Sequence, residues 1–172
     1  MKSGYHIARL ISREENGMGK SLEPMAGGQV WRKLWKLHVQ NKIKVFGLRA
    51  CQDILSTWEN LVKRKVIEDG NCSICQQVPE SVVHRLWECG ATQDVWVGCL
   101  AQIQKCASGQ DDILQLFITI LNKLSTEEFE NFLVQSWLIW NQRNTVVYGG
   151  KLQDPNQLNI RARDYLEEYK EA

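Results

Sequence analysis

Four candidate metal ligands lie within eighteen residues, and this cluster constrains the fold more than any other feature of the chain. They follow the pattern Cys-x2-Cys-x8-His-x4-Cys, with Cys72, Cys75, His84 and Cys89 as the ligands. Thiolate sulfur and imidazole nitrogen are preferred ligands of tetrahedral Zn²⁺, and structural zinc sites take all four ligands from protein. The spacing therefore predicts a closed zinc site within a small module over residues 69–90.

Two other interpretations of these cysteines stay open at this point. Cys72 and Cys75 could form a redox-active pair, or the cysteines could be buried and bind nothing. A redox Cys-x2-Cys pair is typical of a strand–helix–strand setting, which the surrounding sequence lacks. It would also leave His84 and Cys89 without a role. The sequence thus favours zinc over both alternatives.

Helical periodicity on both sides of the cluster predicts a mainly α fold. Apolar residues recur at helical spacing over Asn41–Cys51. Ser56–Glu59 and Ser125–Glu128 have the pattern of a capping box, which begins a helix. Asp154 followed by Pro155 is typical of another helix start. We expect a Cys-Cys-His-Cys zinc module embedded between helices and followed by a helical C-terminal part.

The expected domain organisation has two parts. The first covers residues 1–104 and contains the zinc module, and the second is a helical region at 105–172. Within the first part, helical spacing predicts a lead-in helix at 2–15, and a segment rich in Gly predicts a flexible linker at 16–29.

Several separated motifs resemble, in the right order, the zinc-binding domain of plant non-LTR (LINE-type) retrotransposon reverse transcriptases. The metal-ligand motif is joined by an opening Lys-Ser-Gly-Tyr, two aromatic and basic blocks upstream, and a Trp-rich block downstream. These segments are Lys2–Tyr5, Trp31–Leu37, Asn41–Arg49, Cys72–Trp96 and Trp137–Asn144. The resemblance covers nearly the whole chain.

The resemblance implies a protein that binds zinc, and the residues themselves predict that it does not catalyse a reaction. In such reverse transcriptases the polymerase precedes this region and an RNase H domain often follows it, so the chain looks like a detached retrotransposon-derived fragment. The sequence has no Tyr-x-Asp-Asp motif and no other carboxylate cluster suited to two divalent ions. Four protein ligands would also close a zinc site to substrate. We expect neither an enzyme nor a small-molecule substrate.

The charge distribution suggests a surface for RNA or DNA. Residues 1–70 contain 13 Lys and Arg against 7 Asp and Glu, although the whole chain has a net charge of only +1. A basic region suits phosphate contact, while an ordinary solvated face is the alternative. The predicted nucleic-acid contacts are Lys42, Lys44, Arg49, Lys63, Arg64, Lys65 and Arg85.

The remaining expectations concern compartment and alternative functions. The start of the chain lacks a secretory signal pattern and no apolar run is long enough to span a membrane, so we expect an intracellular protein without a membrane partner. Reducing compartments favour metal binding over disulfides for clustered Cys and His. The alternative functions are a scaffold that docks a protein through Trp-rich helices, with a purely structural zinc, or a relic without selected function.

Overall fold

The computed structural model describes residues 24–99, 103 and 112–172, and its described residues are mainly helical. They form seven α-helices and one π-helical turn, with no β-strand among them. In chain order these are α1 (Pro24–Lys36), α2 (Asn41–Cys51), α3 (Trp58–Lys63), the π-helical turn (His84–Glu88), α4 (Gly90–Val97), α5 (Ile113–Lys123), α6 (Thr126–Val147) and α7 (Pro155–Glu171). The predicted mainly α fold, with the metal-ligand segment between helices, is confirmed.

Local signals predicted several helix ends correctly. The bounds of α2 coincide with the predicted segment. At the start of α6, the Ser125 hydroxyl accepts from the Glu128 N–H and the Glu128 carboxylate accepts from the Ser125 N–H at 2.8 Å. Asp154 caps α7, and Pro155 is its first residue. These ends follow from contacts between residues close in sequence, which is why a sequence pattern identifies them.

Other helix starts differ from the predictions. Helix α1 begins at Pro24, so residues 24–29 of the predicted linker are helical, while the predicted lead-in helix at 2–15 lies outside the described residues. The cap of α3 is Thr57, whose hydroxyl accepts from the Asn60 N–H at 3.3 Å, rather than Ser56. Contacts distant in sequence hold this start, because the Glu59 N–H donates to the Glu80 carbonyl at 3.2 Å.

Helix α6 organises the packing. It contacts α2, α5, α7 and the π-helical turn, and its Phe132 ring lies 5.2 Å from Trp96 and 5.4 Å from Phe117, centroid to centroid. Buried side chains from α1, α2, the π-helical turn and α4 to α7 join one apolar cluster. Packing is therefore continuous between the metal-ligand segment and the C-terminal helices. Among the described helices, none is both long and apolar enough to cross a membrane.

A glycine permits the close approach of α2 to α6. A Cβ atom added at Gly47 would lie 2.8 Å from Leu133 Cδ1 and 3.4 Å from Leu34 Cδ2. Both leucines are buried and have little freedom to move away. Packing thus explains a residue that is otherwise unfavourable inside a helix.

We expect Gly47→Ala to lower the free energy of unfolding by about 1 kcal/mol, since the overpacking cost exceeds the gain in helix propensity. Urea denaturation measures the change. Gly27→Ala in α1 is the control, because no atom lies within 4 Å of a Cβ added there. A Gly47→Ala protein that is as stable as the wild type would contradict the packing argument.

Candidate metal centre

The first two ligands lie on a tight turn at the tip of a short hairpin. An isolated antiparallel bridge pairs residues 71 and 79. The Cys72 N–H donates to the Val78 carbonyl, and the Gln76 N–H donates to the Cys72 carbonyl, both at 2.9 Å. Gln76 takes the left-handed conformation with φ 56°, so the chain reverses directly after Cys75. The hairpin therefore holds the two thiols near one centre.

The other two ligands lie at the ends of the π-helical turn. The Cys89 N–H donates to the His84 carbonyl at 2.9 Å, which is the five-residue step of a π-helix. Residues five apart on an α-helix would point about 140° apart, and the wider π turn brings them closer in direction. The His84 N–H donates to Ser81 Oγ at 3.0 Å, and Trp96 Nε1 donates to the Leu86 carbonyl at 2.9 Å. These bonds anchor the turn on both sides.

The four predicted ligands converge on one point. Their ligand atoms all lie within 4.8 Å of one another, with 3.9 Å between the sulfurs of Cys72 and Cys89 and 3.4 Å from Cys75 Sγ to His84 Nε2. In a tetrahedral site with bonds of about 2.3 Å to sulfur and about 2.0 Å to nitrogen, two sulfurs lie about 3.8 Å apart, and a sulfur and a nitrogen lie about 3.5 Å apart. Three thiols and one imidazole in this arrangement suit Zn²⁺.

A buried charged network lies directly behind the ligands. Glu80 accepts from Arg85 Nη1 at 3.0 Å and from Arg143 Nη2 at 3.1 Å. Arg143 Nη2 also donates to Cys72 Sγ at 2.9 Å, and its Nη1 donates to Thr92 Oγ1 at 3.2 Å. Glu80, Arg85 and Arg143 are only 1%, 2% and 3% exposed. One guanidinium thus joins helix α6 to a metal ligand.

The electrostatics of the centre favour the thiolate form of Cys89. Burial works to raise the pKa of Cys89, but hydrogen bonds with His84 and Arg143 outweigh it and lower that pKa. The hydrogen bond with Cys89 in turn raises the pKa of His84 against the effect of burial. Burial lowers the pKa of Arg85 to about 10, so this guanidinium stays charged at neutral pH. Metal binding requires deprotonated thiols and a neutral imidazole. The lowered pKa of Cys89 assists it, whereas the raised pKa of His84 means that this ligand has to release a proton first.

Two of the predicted nucleic-acid contacts in α2 have partners within the protein. The Lys42 ammonium lies 4.7 Å from the centroid of the Trp137 ring, and Lys44 Nζ donates to the Trp35 carbonyl at 3.0 Å. Lys42 is nevertheless exposed, and Lys44 is half-buried. Arg49, in the last turn of α2, is also exposed. The α2 cations thus differ in how freely they could reach a phosphate.

The three predicted contacts at the C-terminal end of α3 and directly after it, Lys63, Arg64 and Lys65, are all exposed. Lys63 forms ion pairs with Asp53 at 3.9 Å and Glu59 at 3.5 Å, which offset its charge. Arg64 Nη2 donates to the Ile54 carbonyl at 3.0 Å. Lys65 takes the left-handed conformation with φ 58°. This part of the basic surface is interrupted by acidic side chains.

Arg85, by contrast, does not lie on the surface, contrary to the expectation that it contacts phosphate there. It is 2% exposed, and its guanidinium carbon lies 3.8 Å from the centroid of the Trp140 ring. Arg85 Nη2 donates to the Trp140 carbonyl at 3.3 Å and to Asn144 Oδ1. Its charge is used inside the protein, where Glu80 pairs with it.

Sequence reasoning missed Glu80 and Arg143 as neighbours of the metal ligands. A signal was present, because Arg143 and Asn144 end the Trp137–Asn144 segment that resembles a motif of the reverse transcriptases. Its spatial relation to Cys72 could not be inferred, since 71 residues separate Arg143 from Cys72.

The fold and the ligand cluster together define a mainly helical zinc-binding module. Residues 3–96 match the family described as zinc-binding in reverse transcriptase. Because this span covers more than half of the 172 residues, the chain belongs to that family. No curated protein and no solved structure matches the chain. The narrower resemblance to plant LINE-type elements stays a prediction.

We expect the purified protein to contain one zinc ion per chain, and Cys75→Ser to remove it. Coordination by four ligands contributes roughly 10–16 kcal/mol of apparent binding free energy in small zinc modules, so loss of the ion should lower the melting temperature strongly. Elemental analysis and thermal melting with and without chelator measure both effects. Cys51→Ser, which alters a cysteine outside the cluster, should retain the metal. Full zinc content in Cys75→Ser would contradict this ligand set.

Proposed function

We propose that the chain is a non-catalytic zinc module that contacts RNA or DNA through the surface of α1 and α2. The main support for this proposal is that residues 24–52 contain six Lys and Arg and no Asp or Glu. Helices α1 and α2 pack against each other, so these charges share one helical hairpin. A cationic surface of this kind attracts a polyanion at low salt.

The exposed cations of this hairpin are spaced along the helices. Lys42 and Arg49 are seven residues apart on α2, which places them on the same face at a separation of about 10 Å. Arg32, Lys33 and Lys36 are exposed on α1 and extend the surface that the sequence predicted. Arg64 adds to it, because the Arg49 carbonyl and the Arg64 guanidinium both hydrogen bond to the backbone of Ile54.

An exposed aromatic ring adds a second kind of contact. Trp35 is 41% exposed, and the Lys44 ammonium lies 5.9 Å from the centroid of its ring. Stacking of bases on aromatic rings beside cations is the usual mode of single-strand binding without sequence preference. We therefore propose single-stranded nucleic acid as the first ligand to test.

A non-catalytic role follows from the proposed coordination of the zinc. Four protein ligands leave no open position for water or substrate, whereas catalytic zinc sites keep one. The family is likewise a zinc-binding one. The module would then act by holding a shape and presenting charge.

The alternative, a scaffold that docks a protein through its tryptophans, has less support. All seven tryptophans lie in the described part of the chain, and Trp35 is the only one among them that is more than about a third exposed. Trp87 and Trp96 are buried, and Trp137 and Trp140 pack against the core. Most of the indole area that could dock a partner is already used inside the protein.

We expect the affinity for single-stranded RNA to fall with increasing salt, and Lys36→Ala with Arg49→Ala to reduce that dependence. Loss of two phosphate contacts should lower the slope of log affinity against log salt by about 1.4. Fluorescence anisotropy over a salt series measures it.

The matched control is Lys151→Ala with Arg161→Ala, which removes the same charge from exposed positions elsewhere. This control should leave the slope near that of the wild type. Absence of binding at low salt, or equal effects of the two double variants, would remove this proposal. Loss of a protein partner on substitution of Trp35 alone would favour the scaffold instead.

A further inference from the structure

The charged network behind the metal ligands carries an excess of positive charge. Arg85 and Arg143 each bear one positive charge, and Glu80 is the single carboxylate that pairs with both. All three are at least nine-tenths buried. A buried charge without compensation is strongly unfavourable, so the surplus of one requires a negative partner nearby.

The ligand cluster supplies that partner when it holds a divalent cation. Three thiolates and a neutral imidazole around Zn²⁺ have a net charge of −1, which equals the surplus of the network in magnitude. The contact is direct, because Arg143 Nη2 lies 2.9 Å from Cys72 Sγ and 3.1 Å from Glu80 Oε2. The same nitrogen thus bridges a ligand sulfur and the carboxylate.

We propose that Arg143, together with the Glu80–Arg85 pair, is the charge-compensating outer shell of the metal centre, so that helix α6 is part of the metal-binding unit. Arg143 acts here as a positioning residue, since it would reach the metal through Cys72. It lies outside the residues 3–96 that match the family. Groups that orient and neutralise metal ligands typically change metal affinity by 10–100-fold when they are removed.

The geometry explains why arginine is required at position 143. Its two terminal nitrogens reach three acceptors, namely Cys72 Sγ, Glu80 Oε2 and Thr92 Oγ1. The planar guanidinium presents several donors in a fixed fork, whereas a lysine ammonium is a flexible point charge. A lysine would keep the charge and lose part of this hydrogen bonding.

A second connection ties the same helix to the π-helical turn. Arg85 follows the ligand His84 directly, and it lies over the Trp140 ring and donates to the Trp140 carbonyl. The Arg85 carbonyl in turn accepts from Thr92 Oγ1 at 2.9 Å, the hydroxyl that Arg143 contacts. Metal ligands, network and α6 thus form one connected set of contacts.

The direct test is the zinc affinity of the full chain carrying Arg143→Met, measured by competition with a chromophoric chelator. We expect zinc to bind 10–100-fold more weakly than in the wild type. Arg161→Met, on an exposed position of α7, is the matched control and should bind zinc normally. An unchanged zinc affinity of Arg143→Met would overturn the proposal.

A double variant that restores the charge balance tests whether Arg143 compensates the charge of the metal centre or only supports the packing around it. Glu80→Gln with Arg143→Met removes one charge of each sign and leaves Arg85 to balance the centre. We therefore expect the double variant to bind zinc more tightly than Arg143→Met alone. If the two substitutions only damage packing, Glu80→Gln should not restore affinity that Arg143→Met has removed, so an affinity at or below that of Arg143→Met would refute compensation.

Arg143→Lys keeps the proposal testable if the methionine variant fails to fold. We expect this variant to fold in the presence of zinc and to bind the ion more weakly than the wild type, but by less than about 10-fold, because it keeps the charge and loses part of the hydrogen bonding. Circular dichroism with and without zinc reports folding independently of affinity. Zinc binding by Arg143→Lys that is about 100-fold weaker than that of the wild type would show that charge is not what position 143 supplies.

Discussion

The contact between the Arg143 guanidinium and the Cys72 sulfur, 2.9 Å long, joins the two parts of the protein that the sequence separates. On one side lie ligands carried by a hairpin and a single π-helical turn, neither of which could be stable alone. On the other side lies α6, a helix of 22 residues packed on most of its circumference. The guanidinium holds the ligands against α6, and Glu80 fixes the guanidinium.

Two kinds of interaction hold the ligand segment in place, and they act at different positions. The hairpin around Cys72 has few apolar side chains, so metal coordination has to provide most of what holds its shape. The π-helical turn instead buries Leu86 and Trp87 in the common core, where Trp87 lies 5.5 Å from Trp96. His84 and Cys89 are therefore positioned by packing, whereas Cys72 and Cys75 depend more on the ion.

The sequence alone predicted features that depend on near neighbours. The ligand set follows from spacing and side-chain chemistry, and the ends of α2 and the capping box of α6 follow from local propensity and hydrogen bonds. Burial of Arg85 could not be predicted this way. An arginine five residues after a glutamate looks like a solvated side chain, and only the fold places Trp140 against it. The predicted capping box at Ser56–Glu59 was wrong for the same reason. Thr57 caps α3 instead, and the start of this helix is held by a hydrogen bond to Glu80, which is distant in sequence.

Charge and hydrogen bonding also explain why a buried carboxylate is tolerated at position 80. Its two oxygens accept from two guanidinium groups, and its own backbone N–H donates to the Gly70 carbonyl at 2.8 Å in the hairpin. Removal of either arginine would leave a buried charge with too few partners. Breaking a buried ion pair in this way costs more free energy than the intact pair contributes to stability. We infer that the polar network contributes more to the unique arrangement of hairpin, turn and helix than to overall stability. Residues 1–104 alone would keep all four ligands but would lose Arg143, whose guanidinium contacts the ligand Cys72. The ligand pattern by itself therefore does not delimit the unit that binds the metal.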